Sequence, residues 1–291
     1  MGKALAETSA VARRVFEEAD EALGFAISRL CFEGPEDQLK LTANTQPALL
    51  TVSAAAFAVL QENGCQPDYV AGHSLGEYSA LVAAGSLRFA DAVRLVRNRG
   101  RYMQEAVPAG VGAMAAILKL PEGKLEAVLQ QAAQGEVVSA ANLNTPEQIV
   151  IAGHAGAVNR AIELAKAAGA RRGVLLPVSA PFHCTLMKPA QERLRVDLDA
   201  TEFLDLACPL VNNWQAAEIR TGAQAREGLY QQVPNPVRWV ETVRYLAAQG
   251  VTRCVEVGAG GVLTGLLRGI EPSLAGQRFG EPAELAALQG A

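Results

Sequence analysis

Apolar residues recur along the chain with two alternating rhythms: three-to-four-residue spacing in some segments and short continuous runs in others. Helices and strands are therefore expected to alternate, as in an α/β fold. Helical spacing covers residues 6–30 and 46–61, with Pro47 suited to the first turn of the second. Tyr69-Val70-Ala71 is a short apolar run ended by Gly72, after which residues 77–84 and 91–106 read as helices. Val107-Pro108-Ala109-Gly110 is a turn signal. Beyond it the pattern predicts strand 112–118, helix 122–133, strands 137–141 and 148–152, helix 155–168 and strand 173–178, closed by Ser179-Ala180-Pro181. That βαββαβ order is the split-βαβ, ferredoxin-like arrangement and fits an inserted subdomain. A helix over 189–200, a Pro/Asn-rich segment over 233–237, a helix over 240–248 and a buried strand over 252–257 complete the pattern.

Composition narrows the class. Half of the 291 residues are hydrophobic and 19% are charged, against about 25% in typical domains, so the chain can bury a sizeable core. The balance of 26 Lys+Arg against 30 Asp+Glu, net −4, carries no basic block and argues against a nucleic-acid binder. An acidic macromolecular partner would have to meet a local basic patch. The first residues hold no long apolar run, and Ala6 spoils a myristoylation motif. The longest apolar stretch, 48–60, is interrupted by Thr51 and Ser53 and falls short of the ~20 residues of a membrane span. Five widely spaced cysteines with no CxxC pair form no metal-ligand pattern and read as reduced thiols in a cytoplasmic protein.

The candidate chemistry begins at Gly72-His73-Ser74-Leu75-Gly76, which fits G-x-S-x-G. Small residues flank the serine because a strand must turn sharply into a helix there, exposing the hydroxyl. The run sits after an apolar segment and opens a helix, as the motif requires; a tight turn carrying an ordinary serine is the alternative. A neutral serine needs a base. Of the three histidines, His73 adjoins the serine and should point elsewhere, and His154 reads as a solvated turn residue. His183, in the irregular apolar segment Pro181-Phe182-His183-Cys184, is the remaining candidate, with a satisfied core histidine as its alternative. On the helix over 91–106, Ala92, Val96, Arg99, Met103 and Ala106 share one stripe, while Arg94, Arg97 and Arg101 gather on the opposite, solvated face. Arg99 thus projects from an apolar face, where charge is rarely buried without a partner. A substrate carboxylate would satisfy it through the planar guanidinium, and so would an internal Glu or Asp.

The segments Asn44-Thr45-Gln46-Pro47-Ala48-Leu49-Leu50, Gly72-His73-Ser74-Leu75-Gly76-Glu77-Tyr78-Ser79-Ala80 and Arg99-Gly100-Arg101-Tyr102-Met103-Gln104 appear in family order with Asn142-Leu143-Asn144-Thr145-Pro146, Phe182-His183-Cys184, Asn235-Pro236-Val237 and Glu256-Val257-Gly258. Over nearly its whole length the chain resembles the malonyl-CoA:acyl carrier protein transacylases. The resemblance implies an α/β-hydrolase-like parallel-sheet core, residues 1–109 and 181–291, with a ferredoxin-like subdomain at 110–180. It implies Ser74 as the acylated nucleophile, His183 as its base, and the Leu75 backbone N–H as half of an oxyanion hole. It also implies that Arg99 pairs with the malonyl carboxylate, that the Gln232 main-chain carbonyl orients the histidine, and that Gln46 and Asn142 line the pocket. Phe182 resembles the bulky residue of the malonyl-selective sites, leaving little room for an α-methyl. The implied partners are malonyl-CoA and acyl carrier protein, without nucleic acid or membrane. The implied enzyme is monomeric and uses no metal and no cofactor.

One departure is visible. Family members begin with a strand and a Gly-Gln-Gly-Ser-Gln loop whose first Gln gives the other oxyanion N–H, whereas this sequence opens at Met1-Gly2-Lys3, where the family has just left that loop. A misplaced start is the expectation. The competing functions are a serine thioesterase or hydrolase, which shares the elbow and base, and a catalytically impaired carrier-protein docking module.

Overall fold

The computed structural model describes residues 1–178 and 180–289, so Ser179, expected to help close the insertion, lies outside the described residues. Helices α1 (Lys3–Thr8), α2 (Ala10–Leu23) and α3 (Ile27–Glu33) replace the single helical region expected over 6–30, and a short α4 (Glu36–Leu39) follows them. The breaks have local causes: Ser9 is extended and its side chain accepts from Ala12 N–H, and Gly24 ends α2 at φ 70°.

Helix α5 (Thr42–Glu62) starts a turn earlier than expected, which places Pro47 in its second turn. Thr45 and Asn44 carry the helix upstream by hydrogen bonds from their side chains to the Leu39 and Gln38 carbonyls. By length and composition α5 could cross a membrane, but its buried residues pack against α2 and α7 (Phe89–Glu105). Its crossing with α7 is close at Gly100, where an added Cβ would lie 2.6 Å from the Thr42 carbonyl oxygen. Between them come the two-residue strand β1 (Val70–Ala71) and α6 (Gly76–Ala83).

The βαββαβ order expected from the pattern is present as β2 (Gly112–Leu118), α8 (Leu125–Ala133), β3 (Val138–Thr145), β4 (Gln148–His154), α9 (Ala155–Ala167) and β5 (Arg172–Leu175). Its four strands form one antiparallel sheet in the order β3-β4-β2-β5. Ala115, Ile117 and Ile151 of this sheet bury against Val128 and Leu129 of α8 and Val158, Ala161 and Ile162 of α9.

The chain then runs through α10 (Lys188–Asp199), β6 (Leu210–Val211), β7 (Glu218–Ile219), α11 (Gly222–Gln232), α12 (Trp239–Ala248), β8 (Arg253–Val257), α13 (Val262–Ile270), β9 (Ala275–Phe279) and α14 (Leu285–Gln289). β1 pairs with β6 and β8 with β9, both in parallel, and β7 adds to β6 antiparallel. The expected burial of the last predicted strand is not met: Arg253 is exposed and the rest of β8 only half-buried, because it hydrogen-bonds to β9 along one edge. The fold is mixed α/β. Its largest apolar cluster joins Leu50 and Ala55 of α5, Tyr78 and Leu81 of α6, Val96 and Met103 of α7, Leu194 of α10 and Leu229 of α11, and this cluster backs the site.

Candidate active site

The turn between β1 and α6 is dictated by close approach. A Cβ on Gly72 would fall 2.0 Å from the Gly76 carbonyl, so only glycine fits, and the chain then passes through Ser74 at φ 52°. Gly76 is different, since nothing lies within 4 Å of an added Cβ and its φ is not positive. The glycine that sequence reading treats as equivalent to Gly72 is spatially free. Gly72→Ala should therefore unfold the turn and abolish activity, while Gly76→Ala should keep the fold and gain up to ~1 kcal/mol of helix stability, both read by thermal melts.

The turn is held by a residue from the far side of the chain. Asn213, fully buried, accepts from Ser74 N–H at 2.7 Å, donates to the Gly72 carbonyl at 2.7 Å and gives its own N–H to Glu77 Oε2 at 3.0 Å. His73 points away from Ser74, as expected, and its Nε2 meets Asn144 Oδ1 at 2.8 Å, with its ring edge-on to Trp239. The Leu75 N–H, at the start of α6, donates to no acceptor among the described residues.

His183 Nε2 lies 2.7 Å from Ser74 Oγ, and its Nδ1 lies 3.0 Å from the Gln232 carbonyl oxygen. A carbonyl only accepts, so Nδ1 carries the proton and Nε2 is the free base. Burial, then the Arg99 charge, pushes the His183 imidazolium down to about 3 from the usual 6.5, so the ring is neutral at physiological pH. His183 too has a positive φ, 57°.

Arg99 is 2% exposed. Its Nη1 donates to Gln46 Oε1 at 2.6 Å, and its Nη2 donates to Gln232 Oε1 at 2.9 Å and to Ser74 Oγ at 3.1 Å. No ion pair includes it among the described residues, and its Nε has no acceptor there. The internal salt bridge left open by the sequence is thus not made at contact distance. Two expectations around this helix need correction. Arg97 is half-buried rather than solvated, because it stacks on Phe25 and donates to Asn44 Oδ1. His154 is half-buried and accepts Val137 N–H through Nδ1 at 2.9 Å, since it ends β4 beside the start of β3.

Of the remaining expected site residues, Gln46 is drawn in by Arg99, and Phe182 is half-buried beside His183. Asn142 is buried on β3 opposite Val237, but among the described residues its side chain makes no hydrogen bond to the dyad or Arg99; the strand's link to the elbow comes from Asn144. Sequence reading missed Asn213, Glu77 and Asn144, and it missed that Gln232 acts through its side chain as well as its carbonyl. Its Nε2 donates to the Ser74 carbonyl at 2.9 Å and to Glu77 Oε2 at 2.8 Å. The capping box of Thr221 and Gln224 fixes the start of α11, whose last residue is Gln232.

Residues 1–275 match the acyl transferase domain. The chain belongs to the acyl transferase family. Within this acyl transferase family it is 49% identical over 284 residues to the malonyl CoA-acyl carrier protein transacylase of Escherichia coli strain K12, covering 97% of this chain and 92% of that one. It is 50% identical over 275 residues to the transacylase of the same name from Bacillus subtilis strain 168, covering 94% and 87%. Among solved structures, this acyl transferase superposes on an acyl carrier protein S-malonyltransferase from Vibrio cholerae with a TM-score of 0.97 at 46% identity, covering 99% of this chain and 94% of that one. A malonyl-transacylase solved in complex with a type II PKS acyl-carrier protein gives a TM-score of 0.96 at 45% identity, with coverages of 99% and 94%.

Proposed function

We propose that the protein transfers a malonyl group from malonyl-CoA to the phosphopantetheine thiol of an acyl carrier protein, through a malonyl ester on Ser74. The observation that carries this is the buried, ion-pair-free Arg99 placed 3.1 Å from a serine that is itself 2.7 Å from a neutral histidine. A cation beside the nucleophile suits an acyl group with a second carboxylate.

Ser74 Oγ attacks the thioester carbonyl as its proton passes to His183 Nε2, and the Leu75 N–H faces the developing oxyanion. Collapse breaks the C–S bond, and the coenzyme thiolate takes the proton from His183. The carrier thiol repeats the sequence in reverse, giving its proton to His183 and restoring Ser74. Thioester exchange is nearly neutral, so positioning and exclusion of water are the catalytic task. The Gln232 carbonyl keeps His183 in the accepting tautomer, Gln46 holds Arg99, and Gln46 and Asn142 line the acyl pocket. No metal or cofactor is required, and the same reading makes the enzyme a cytoplasmic monomer.

The architecture proposed with this function is an α/β-hydrolase-like core, 1–109 and 181–291, interrupted by a ferredoxin-like subdomain at 110–180. The β3-β4-β2-β5 order and a separate apolar cluster in that segment support the division.

Intact-mass measurement after mixing with malonyl-CoA, with coenzyme release followed with and without carrier protein, tests the function. A single malonyl adduct that discharges only onto carrier protein is expected; coenzyme release without carrier would make the protein a thioesterase. Phe182 should disfavour methylmalonyl-CoA by about 1–3 kcal/mol, the worth of one methyl in a tight pocket. Phe182→Ala should relax that preference in a competition assay, and equal use of both substrates by the wild type would remove the assignment.

A further inference from the structure

Glu77 is a buried carboxyl group that the reaction above does not employ. It lies in the first turn of α6 with no exposure. Oε2 accepts from Asn213 N–H and from Gln232 Nε2, while Oε1 has no partner among the described residues. The Gln232 amide is thereby oriented one way only: its NH2 faces the carboxylate and its oxygen faces the Arg99 guanidinium. One amide separates the buried anion from the buried cation.

We propose that Glu77 is the resting counter-charge of Arg99 and takes up a proton from solvent when an acyl carboxylate settles on Arg99. The inference rests on the malonyl reading. Arg99 compensates one buried anion, and a second carboxylate on it raises the cost of keeping Glu77 ionised. Burial already pushes Glu77 up to about 7, against the downward pull of Gln232, the Asn213 N–H and Arg99, so a modest further push changes its state near neutral pH. The groups facing it are few. Arg99 comes from α7 and Tyr78 from its own helix, α11 presents Gly228 and Gln232, and Asn212 and Asn213 follow β6. Burial keeps Tyr78 protonated and His183 neutral, so neither titrates in this range.

The test compares kcat/KM for acylation by malonyl-CoA and by acetyl-CoA from about pH 6 to about pH 9, a ratio in which the titrations of coenzyme and His183 cancel. The malonyl-to-acetyl ratio should fall above about pH 7, approaching tenfold per pH unit, the slope of one proton taken up. Glu77→Gln retains an acceptor for both donors and should make the ratio flat. Independently, rapid mixing of wild-type enzyme with malonyl-CoA in indicator dye at about pH 8 should show proton uptake that acetyl-CoA does not elicit. Were Glu77 merely structural, Glu77→Gln would depress both substrates equally at every pH and the wild-type ratio would itself be flat. A wild type that malonylates Ser74 with a pH-independent ratio and no proton uptake overturns the inference, whether or not the variant folds; absence of any malonyl-Ser74 instead overturns the proposed function.

Discussion

Replacing Ser74 by Ala should abolish the covalent malonyl adduct altogether, since among the described residues no other hydroxyl lies against His183. Label persisting in this variant, or found on a cysteine, would sink the ester mechanism. His183→Ala should slow acylation by ~10²–10⁴-fold, the usual worth of a general base. The pH profile gives a second reading of the same pair. The base must be unprotonated, and burial with Arg99 holds the imidazolium down to about 3, so protonation sets in far below the ordinary 6.5. Acylation should therefore show no acid limb between about pH 7.5 and about pH 5.5, and a limb near 6.5 would mean that the histidine is far better solvated than its burial implies.

Arg99→Ala should cost malonyl transfer about 2–5 kcal/mol, or roughly 30- to several-thousand-fold, the penalty for leaving a desolvated charge unpaired. Acetyl transfer should be spared or raised, because only malonate brings the second carboxylate. Arg99→Lys should rescue partially: an ammonium supplies charge but cannot reach Gln46, Gln232 and the substrate with one planar fork. Equal losses for malonyl- and acetyl-CoA would make Arg99 a structural residue, and thermal melts of the variant would then show the destabilisation.

What could be read from the chain follows the range of the forces involved. Ser74, His183 and Arg99 were legible because each breaks a local pattern: a hydroxyl between glycines, a lone imidazole in an apolar segment, a charge on an apolar helix face. The β2-to-β5 order was legible because those strands are short apolar runs, set off from helically spaced segments by turn signals. Strands β6 and β7 have two residues each and show no period, and α11, largely polar, has little apolar rhythm. Asn213 and Glu77 left no local trace because their work is done by hydrogen bonds across more than a hundred residues, where the sequence shows only an Asn after a short apolar run and an acid in a helix's first turn. Pro47 was misplaced for a different, local reason: side-chain hydrogen bonds six residues back, to the Leu39 and Gln38 carbonyls, start its helix a turn earlier than the apolar spacing indicates.

The site gathers partners that are remote along the chain: Ser74 and His183 stand 109 positions apart, and the Gln232 amide reaches the Ser74 carbonyl across 158. Loops of that length close late, because their entropy must be lost before any contact rewards it. During refolding, then, the helical signal should recover first and transfer activity last, with the antiparallel unit at β2–β5, built from nearer neighbours, forming on its own schedule. A half-folded chain would hold a serine without a base and an arginine without its amides, unable to load acyl groups that it could not hand on. Activity here is a late-stage clock for folding as well as a measure of catalysis.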